Sequence, residues 1–270
     1  MGFSKQLTYD GKLKLAPTFI AGGKEIVFAV HDTPSEVCLK KLNLSDASQE
    51  RLYPSLVAHH MDASFSSDGR YQCFVKSANN PQMVLTIKDT TEEKEWEFRP
   101  QGARSTARSP TITPDHRRVI FALSTGGGRQ IASVNVQGQD LKHLTESASM
   151  NCWPAVSPDG KRVAFSSSRE GSFDIFTMSA DGTDVRRLTN SPVRDMRPAW
   201  SPDGQRIAFA SARDGNLEIY VMYADGSGQK RTTEHPERDD FPTWHPNGRQ
   251  LLTASERQGK FDLYLIDVPD

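Results

Sequence analysis

Pro154-Ala-Val-Ser-Pro-Asp-Gly160 returns as Pro198-Ala-Trp-Ser-Pro-Asp-Gly204 and again as Pro242-Thr-Trp-His-Pro-Asn-Gly248, with a degenerate copy upstream at Pro110-Thr-Ile-Thr-Pro-Asp-His116. The leading prolines of these four copies stand 44 residues apart. Two further copies, Ala63-Ser-Phe-Ser-Ser-Asp-Gly69 and Pro17-Thr-Phe-Ile-Ala-Gly-Gly23, precede them at steps of 47 and 46. A fixed period of this size means a solenoid, a propeller or an array of small units. The unit starting at Pro198 shows what is being repeated. A short strand at Ala199–Ser201 runs into Pro-Asp-Gly, where proline presets φ and glycine accepts the positive φ of a tight hairpin. A second strand follows at Arg206–Ser211, a turn at Arg213–Asn216, a third strand at Glu218–Met222, a turn at Ala224–Gly226, and a more polar fourth strand at Gln229–Thr233. Four short strands with a turn every 8–12 residues is an all-β signature. The near-continuous apolar second and third strands suit sheets covered on both faces.

The units starting near 17, 63, 110, 154, 198 and 242 account for nearly all of the 270 residues, so a single domain spanning 1–270 is expected. The last unit stops after Phe261-Asp-Leu-Tyr-Leu-Ile-Asp267, without a fourth strand. Gln6-Leu-Thr8 matches Arg187-Leu-Thr189 at the same distance from the next leading proline. Residues 4–8 are therefore expected to complete the last unit and spare both chain ends an open edge. The expectation is a six-bladed β-propeller of four-stranded antiparallel blades, with the ring closed by the N-terminal strand.

Bulk properties restrict function only loosely. A net charge of −1 and a pI near 6.7 give no basic footprint for nucleic acid. No run of about 18 apolar residues is present, so no membrane insertion is expected. Met1-Gly-Phe-Ser-Lys-Gln lacks the apolar region of a secretory signal, and Gln6 stands where a myristoylation signal wants Ser or Thr. As given, the chain reads as a cytoplasmic monomer, or as periplasmic if a leader has been removed. Cys38, Cys73 and Cys152 are odd in number and lack CxxC spacing, against a disulfide framework or a zinc site. Cys38 and Cys73 read as core residues and Cys152 as a loop thiol.

The repeat resembles a known family. Arg-Pro-Ala-Trp-Ser-Pro-Asp-Gly, then Arg-Ile-Ala-Phe, Arg-Asp-Gly, Glu-Ile-Tyr and Ala-Asp-Gly over residues 197–226, with Arg187-Leu-Thr189 closing the unit before, is similar to the WD-like propeller repeat of TolB. The resemblance is strongest over residues 107–270 and weaker over 4–106. Similar repeats build the propellers of tricorn and prolyl-oligopeptidase-like proteases and of oligogalacturonate lyase. TolB carries a separate α/β domain before its propeller, through which it engages Tol partners, and this sequence leaves no room for one. No G-x-S-x-G elbow is present, so the protease relatives imply no catalytic part here.

Candidate functional residues follow from the register of the repeat. Ser157 and Ser201 belong to turn chemistry, with no histidine placed at the same step to activate them. The arginine–acid sets Arg169/Asp174, Arg213/Glu218 and Arg257/Asp262 are expected to fix their hairpins or bridge blades. Trp200 and Trp244 are expected to fill space between blades. Three residues before each leading position stand Lys14, His60, Ala107, Asn151, Asp195 and Asp239, which a propeller would place around its channel mouth. Oligogalacturonate lyases hold a channel metal largely through histidines, but only His60 falls in this register. The loop into the third unit carries Arg99, Arg104 and Arg108, and the loop into the sixth carries Glu234, Glu237, Asp239 and Asp240. These charges would orient a charged peptide or oligosaccharide. The binding residues expected are therefore His60, Asn151, Asp195, Asp239, Arg104 and Arg108, with no catalytic set, no metal and no cofactor. The function expected is a scaffold for a protein or peptide partner. The alternative is a metal-dependent carbohydrate enzyme resembling oligogalacturonate lyase.

Overall fold

The computed structural model describes residues 4–34, 36–54, 59–77, 82–102 and 104–268. Met1–Phe3, where a leader was sought, and Val57, at the end of the first repeat unit, lie outside these residues. In chain order the strands are β1 (Ser4–Gln6), β2 (Lys14–Ile20), β3 (Glu25–Thr33), β4 (Glu36–Asn43), β5 (Gln49–Arg51), β6 (His60–Phe65), β7 (Tyr71–Ser77), β8 (Met83–Asp89), β9 (Lys94–Phe98), β10 (Thr106–Ile112), β11 (Arg118–Thr125) and β12 (Gly128–Asn135). There follow β13 (Lys142–His143), β14 (Asn151–Val156), β15 (Arg162–Glu170), β16 (Ser172–Ser179), β17 (Arg186–Arg187), β18 (Asp195–Trp200), β19 (Arg206–Ser211), β20 (Glu218–Tyr223), β21 (Lys230–Arg231), β22 (Asp239–Trp244), β23 (Gln250–Arg257) and β24 (Lys260–Asp267). No helix among the described residues is long and apolar enough to cross a membrane.

The strands form an all-β propeller, but the expected six equal blades are corrected by the pairing. Four sheets have four strands each: β2–β5, β14–β17, β18–β21, and β22–β24 with β1. The remaining strands make one eight-stranded sheet in the order β13-β12-β11-β10-β8-β7-β6, with β9 on β8. The join is a parallel bridge between Met83 and Thr106, which converts two repeat units into one sheet. The expected ring closure is corrected with the count: backbone pairing does not run from sheet to sheet, and each hydrogen-bonded ladder ends at its own edges. What the N-terminal strand does is add an edge. β1 pairs antiparallel with β24, from Ser4 opposite Ile266 to Gln6 opposite Tyr264.

Sheets stack through their apolar second and third strands. Ile26 to Val30 on β3 are all buried, as are Val163 to Phe165 on β15 and Ile207 to Ala210 on β19. Phe28, Phe74, Phe121, Phe165 and Phe209 take one repeat position and are fully buried. Each buried aromatic contributes about 2–3 kcal/mol of transfer free energy. The next position in the series is Thr253, whose hydroxyl lies 2.9 Å from that of Ser255. Tryptophan ties neighbouring sheets together: the Trp200 indole donates to the Ala155 carbonyl and that of Trp244 to the Ala199 carbonyl, each at 3.1 Å. The last sheet reaches the first through Thr243, which donates to the Pro17 carbonyl at 2.7 Å. Leu252, Ala254 and Leu263 share an apolar cluster with Ile26, Phe28 and Leu42.

The hairpin turns explain the repeated Ser-Pro-Asp-Gly. Ser157 Oγ donates to Asp159 at 2.6 Å and accepts from the Arg162 amide at 2.9 Å, while Gly160 takes φ of 71°. Ser201 and Asp203 repeat the arrangement. These hydroxyls are committed to holding turns.

Candidate functional site: a cavity ringed by the innermost strands

β2, β6, β10, β14, β18 and β22 each begin a repeat unit, and each breaks register once. The shifts fall between Leu15 and Thr18, Met61 and Ser64, Arg108 and Thr111, Cys152 and Ala155, Met196 and Ala199, and Asp240 and Thr243. Within each shift one residue other than glycine takes positive φ: Ala16, Asp62, Ser109, Trp153, Arg197 and Phe241, at 44° to 55°. A bulge of this kind re-aims a side chain and stores strain, which sites of function commonly do. All six of these residues line one cavity of about 710 Å³. Residues on either side of the bulges, including Arg108, Thr111, Cys152 and Thr243, complete the wall, with Arg129 reaching in from β12.

The cavity is both aromatic and cationic. The Arg197 guanidinium lies 4.7 Å from the centre of the Trp153 ring and 4.2 Å from that of Phe241. Its Nη1 donates to Asp240 at 2.9 Å, and its Nε is buried without a partner. Burial raises the Asp240 carboxyl above its ordinary range even with Arg197 beside it. Arg108 Nε donates to Asp62 at 2.6 Å, and Asp62 also accepts the Ser109 amide at 2.9 Å. Arg129 Nε donates to Ser124 at 2.8 Å, and its Nη1 is 3.7 Å from the Cys152 sulfur. Burial pushes the Cys152 thiol up, with Arg129 and Arg197 pulling it the other way. Cys152 thus sits buried on β14 rather than in a loop, and all three cysteines are free.

Of the expected binding residues, Arg108 is in the cavity wall. Arg104 is exposed in the loop before β10. His60, Asn151, Asp195 and Asp239 begin their strands as the register implied; all four are buried, and none is among the residues that line the cavity. Asp195 accepts from Arg213 Nη2 at 2.8 Å, and Asp239 from Arg257 Nη2 at 2.7 Å. Asn151 accepts from Arg169 Nη2 at 3.2 Å. One oxygen each of Asp195 and Asp239 is buried without a partner, and burial raises both carboxyls. His60 packs against Phe74 and Tyr53, with ring centres 5.4 and 5.7 Å away. Burial, followed by the charges of Lys76 and Lys88, lowers its pKa to about 4.

The three arginines of the expected hairpin pairs therefore turn back to the start of their own sheet. The acids five residues on have other partners. Asp174 accepts from Arg187 at 2.6 Å and from the Ser191 amide at 3.0 Å. Glu218 accepts from Arg231, Thr233 and the His235 amide. Asp262 accepts from Thr8 at 2.7 Å and from Lys14 at 3.1 Å. Each acid thus anchors the segment that leads into the next innermost strand. Several of the loop charges have local partners: Arg99 pairs with Glu97, Asp239 with Arg257 and Asp240 with Arg197, while Glu237 accepts the Gln258 and Gly259 amides.

For the carbohydrate-enzyme alternative a ligand set is missing: among the described residues no three His, Cys, Asp or Glu side chains converge as metal ligands. The residues that make the cavity distinctive, Trp153, Arg197, Phe241 and Arg129, were not singled out by the repeat register. The signal was present two positions away, because each bulge residue directly precedes the leading position of its unit.

No curated protein matched the sequence. A TM-score of 0.72 relates the fold to a protein of Agrobacterium tumefaciens described as TolB, at 23% identity over 84% of this chain and 83% of that one. TolB from Acinetobacter baumannii gives 0.71 at 19% identity, over 92% of this chain and 65% of the other. Oligogalacturonate lyase from Vibrio parahaemolyticus gives 0.62 at 14% identity, over 99% and 94%. Likeness at this identity is a likeness of fold. A family model of the tricorn protease N-terminal β-propeller domain matches residues 174–268. The model of the TolB β-propeller domain matches residues 58–196, just over half of the sequence, and with that match the chain belongs to the TolB β-propeller domain family.

Proposed function

We propose that this chain is a non-catalytic binding module that seats a peptide or protein segment at the mouth of the central cavity. One observation carries the reading. Six strained wall residues present two aromatic faces and an arginine held between them, in a space sized for side chains. Aromatic and arginine side chains are what binding hot spots are made of. The serines that resemble nucleophiles are tied into turns, which supports a role without covalent chemistry.

Display selection with random peptides tests this. Selected peptides are expected to bind the wild-type protein with Kd in the micromolar range. They should lose at least tenfold in affinity for Thr111→Trp, which fills the cavity from β10. Failure to enrich any peptide, or equal binding to the filled variant, would contradict the proposal. Turnover of an oligouronate by the purified protein would replace it with the enzymatic reading.

A further inference from the structure

We propose that Arg129 and Arg197 form a carboxylate-binding subsite against Trp153 in the cavity wall, so that the segment seated there presents a carboxylate. The inference deepens the binding-module reading and rests on it. The cavity wall carries three guanidinium groups, and two of them have an acid as partner: Arg108 with Asp62 and Arg197 with Asp240. Among the described residues Arg129 has none; its contacts are the Ser124 hydroxyl and the Cys152 sulfur, a weak acceptor. The repeat explains why. Arg129 stands 19 residues after Pro110, where the later units carry the uncharged Phe173, Leu217 and Phe261, so the repeat places no acid to receive a cation there.

Arg129 Nη1 lies 3.7 Å from the Cys152 sulfur and the Arg197 guanidinium 4.7 Å from the ring of the next residue, Trp153, so two cations border one stretch of β14 in the cavity wall. The Arg197 guanidinium lies within cation–π distance of both the Trp153 and Phe241 rings, with its Nε buried and unpartnered. A guanidinium matches a carboxylate with paired N–H donors, and the bond strengthens where water is excluded. The ligand chemistry is therefore an anionic carboxylate next to an apolar or aromatic group. A peptide supplies this either at its C-terminus or through an Asp or Glu side chain.

Calorimetric titration with hippurate, an aromatic carboxylate, against hippuramide, its neutral amide, tests the subsite without any selected peptide. Hippurate is expected to bind at least tenfold more tightly than hippuramide. Arg129→Gln should remove that preference and Arg129→Lys should keep part of it, with hippuramide unaffected. Equal binding of the two probes to the wild-type protein would overturn the proposal, whatever the variants do. Selected peptides then separate the sources: amidation of the C-terminus weakens binding in one case, and Asp→Asn or Glu→Gln in the other. Peptides that bind the cavity but tolerate every such change would overturn the subsite and leave the binding module standing. Hippurate discrimination without any selectable peptide would do the reverse.

Discussion

His60 shows how a residue read as a site can be a core residue. Its register was legible, since it stands three positions before Ala63 as Asp195 stands before Pro198. Its surroundings were not, because Tyr53 and Phe74 come from other strands of the fold. Burial holds the imidazole neutral, with a folded pKa of about 4 against an ordinary value near 6.5. Between these values the unfolded chain binds a proton that the folded chain refuses. Stability is therefore complete above about pH 6.5 and falls as pH drops towards 4, by roughly 2–3 kcal/mol from this residue. Thermal unfolding measured from pH 7 to pH 4 should show that loss, and His60→Phe should flatten it across the same window. An unchanged slope in the variant would place the acid sensitivity elsewhere.

At the scale of elements, the turns and the outer edge were readable because their chemistry is local. Ser-Pro-Asp-Gly specifies its own hydrogen bonds, and Gln6-Leu-Thr8 announced its place by likeness to Arg187-Leu-Thr189. The arginine–acid partners were not legible, because two residues five apart across a hairpin bond to different strands. Asp262 illustrates what the acids do. It accepts from Thr8 and from Lys14, whose side chain is fully buried and also reaches Asp10 and two backbone carbonyls. Removing the acid leaves a buried ammonium short of a partner, a loss of about 3–5 kcal/mol. The equivalent Asp174 serves Arg187, which is 30% exposed and can turn to water. Chemical denaturation should therefore find Asp262→Ala more destabilising than Asp174→Ala. The opposite order would mean that the N-terminal segment contributes little to holding the last sheet. The bulges escaped reading for a different reason: one extra residue in a strand leaves no mark in composition, yet it decides which side chains face the cavity.

At the scale of the molecule, the period of 44 to 47 residues revealed repeated four-stranded units. It did not reveal that two of them share one sheet, since a single bridge between Met83 and Thr106 makes the join. The cavity is a property of the assembly as a whole, with walls drawn from strands more than 200 residues apart in sequence. Its claim to function rests on Trp153, Arg197 and Phe241 acting together. Fluorine NMR of protein labelled with 5-fluorotryptophan tests that claim most directly, because Trp153, Trp200 and Trp244 line the cavity and the fourth tryptophan, Trp96, does not. Trp153 faces the cavity, whereas Trp96 lies on the edge strand β9. Adding a selected peptide should shift the Trp153 resonance, assigned by Trp153→Phe, and leave that of Trp96 in place. Saturable binding that leaves Trp153 unmoved would contradict the account.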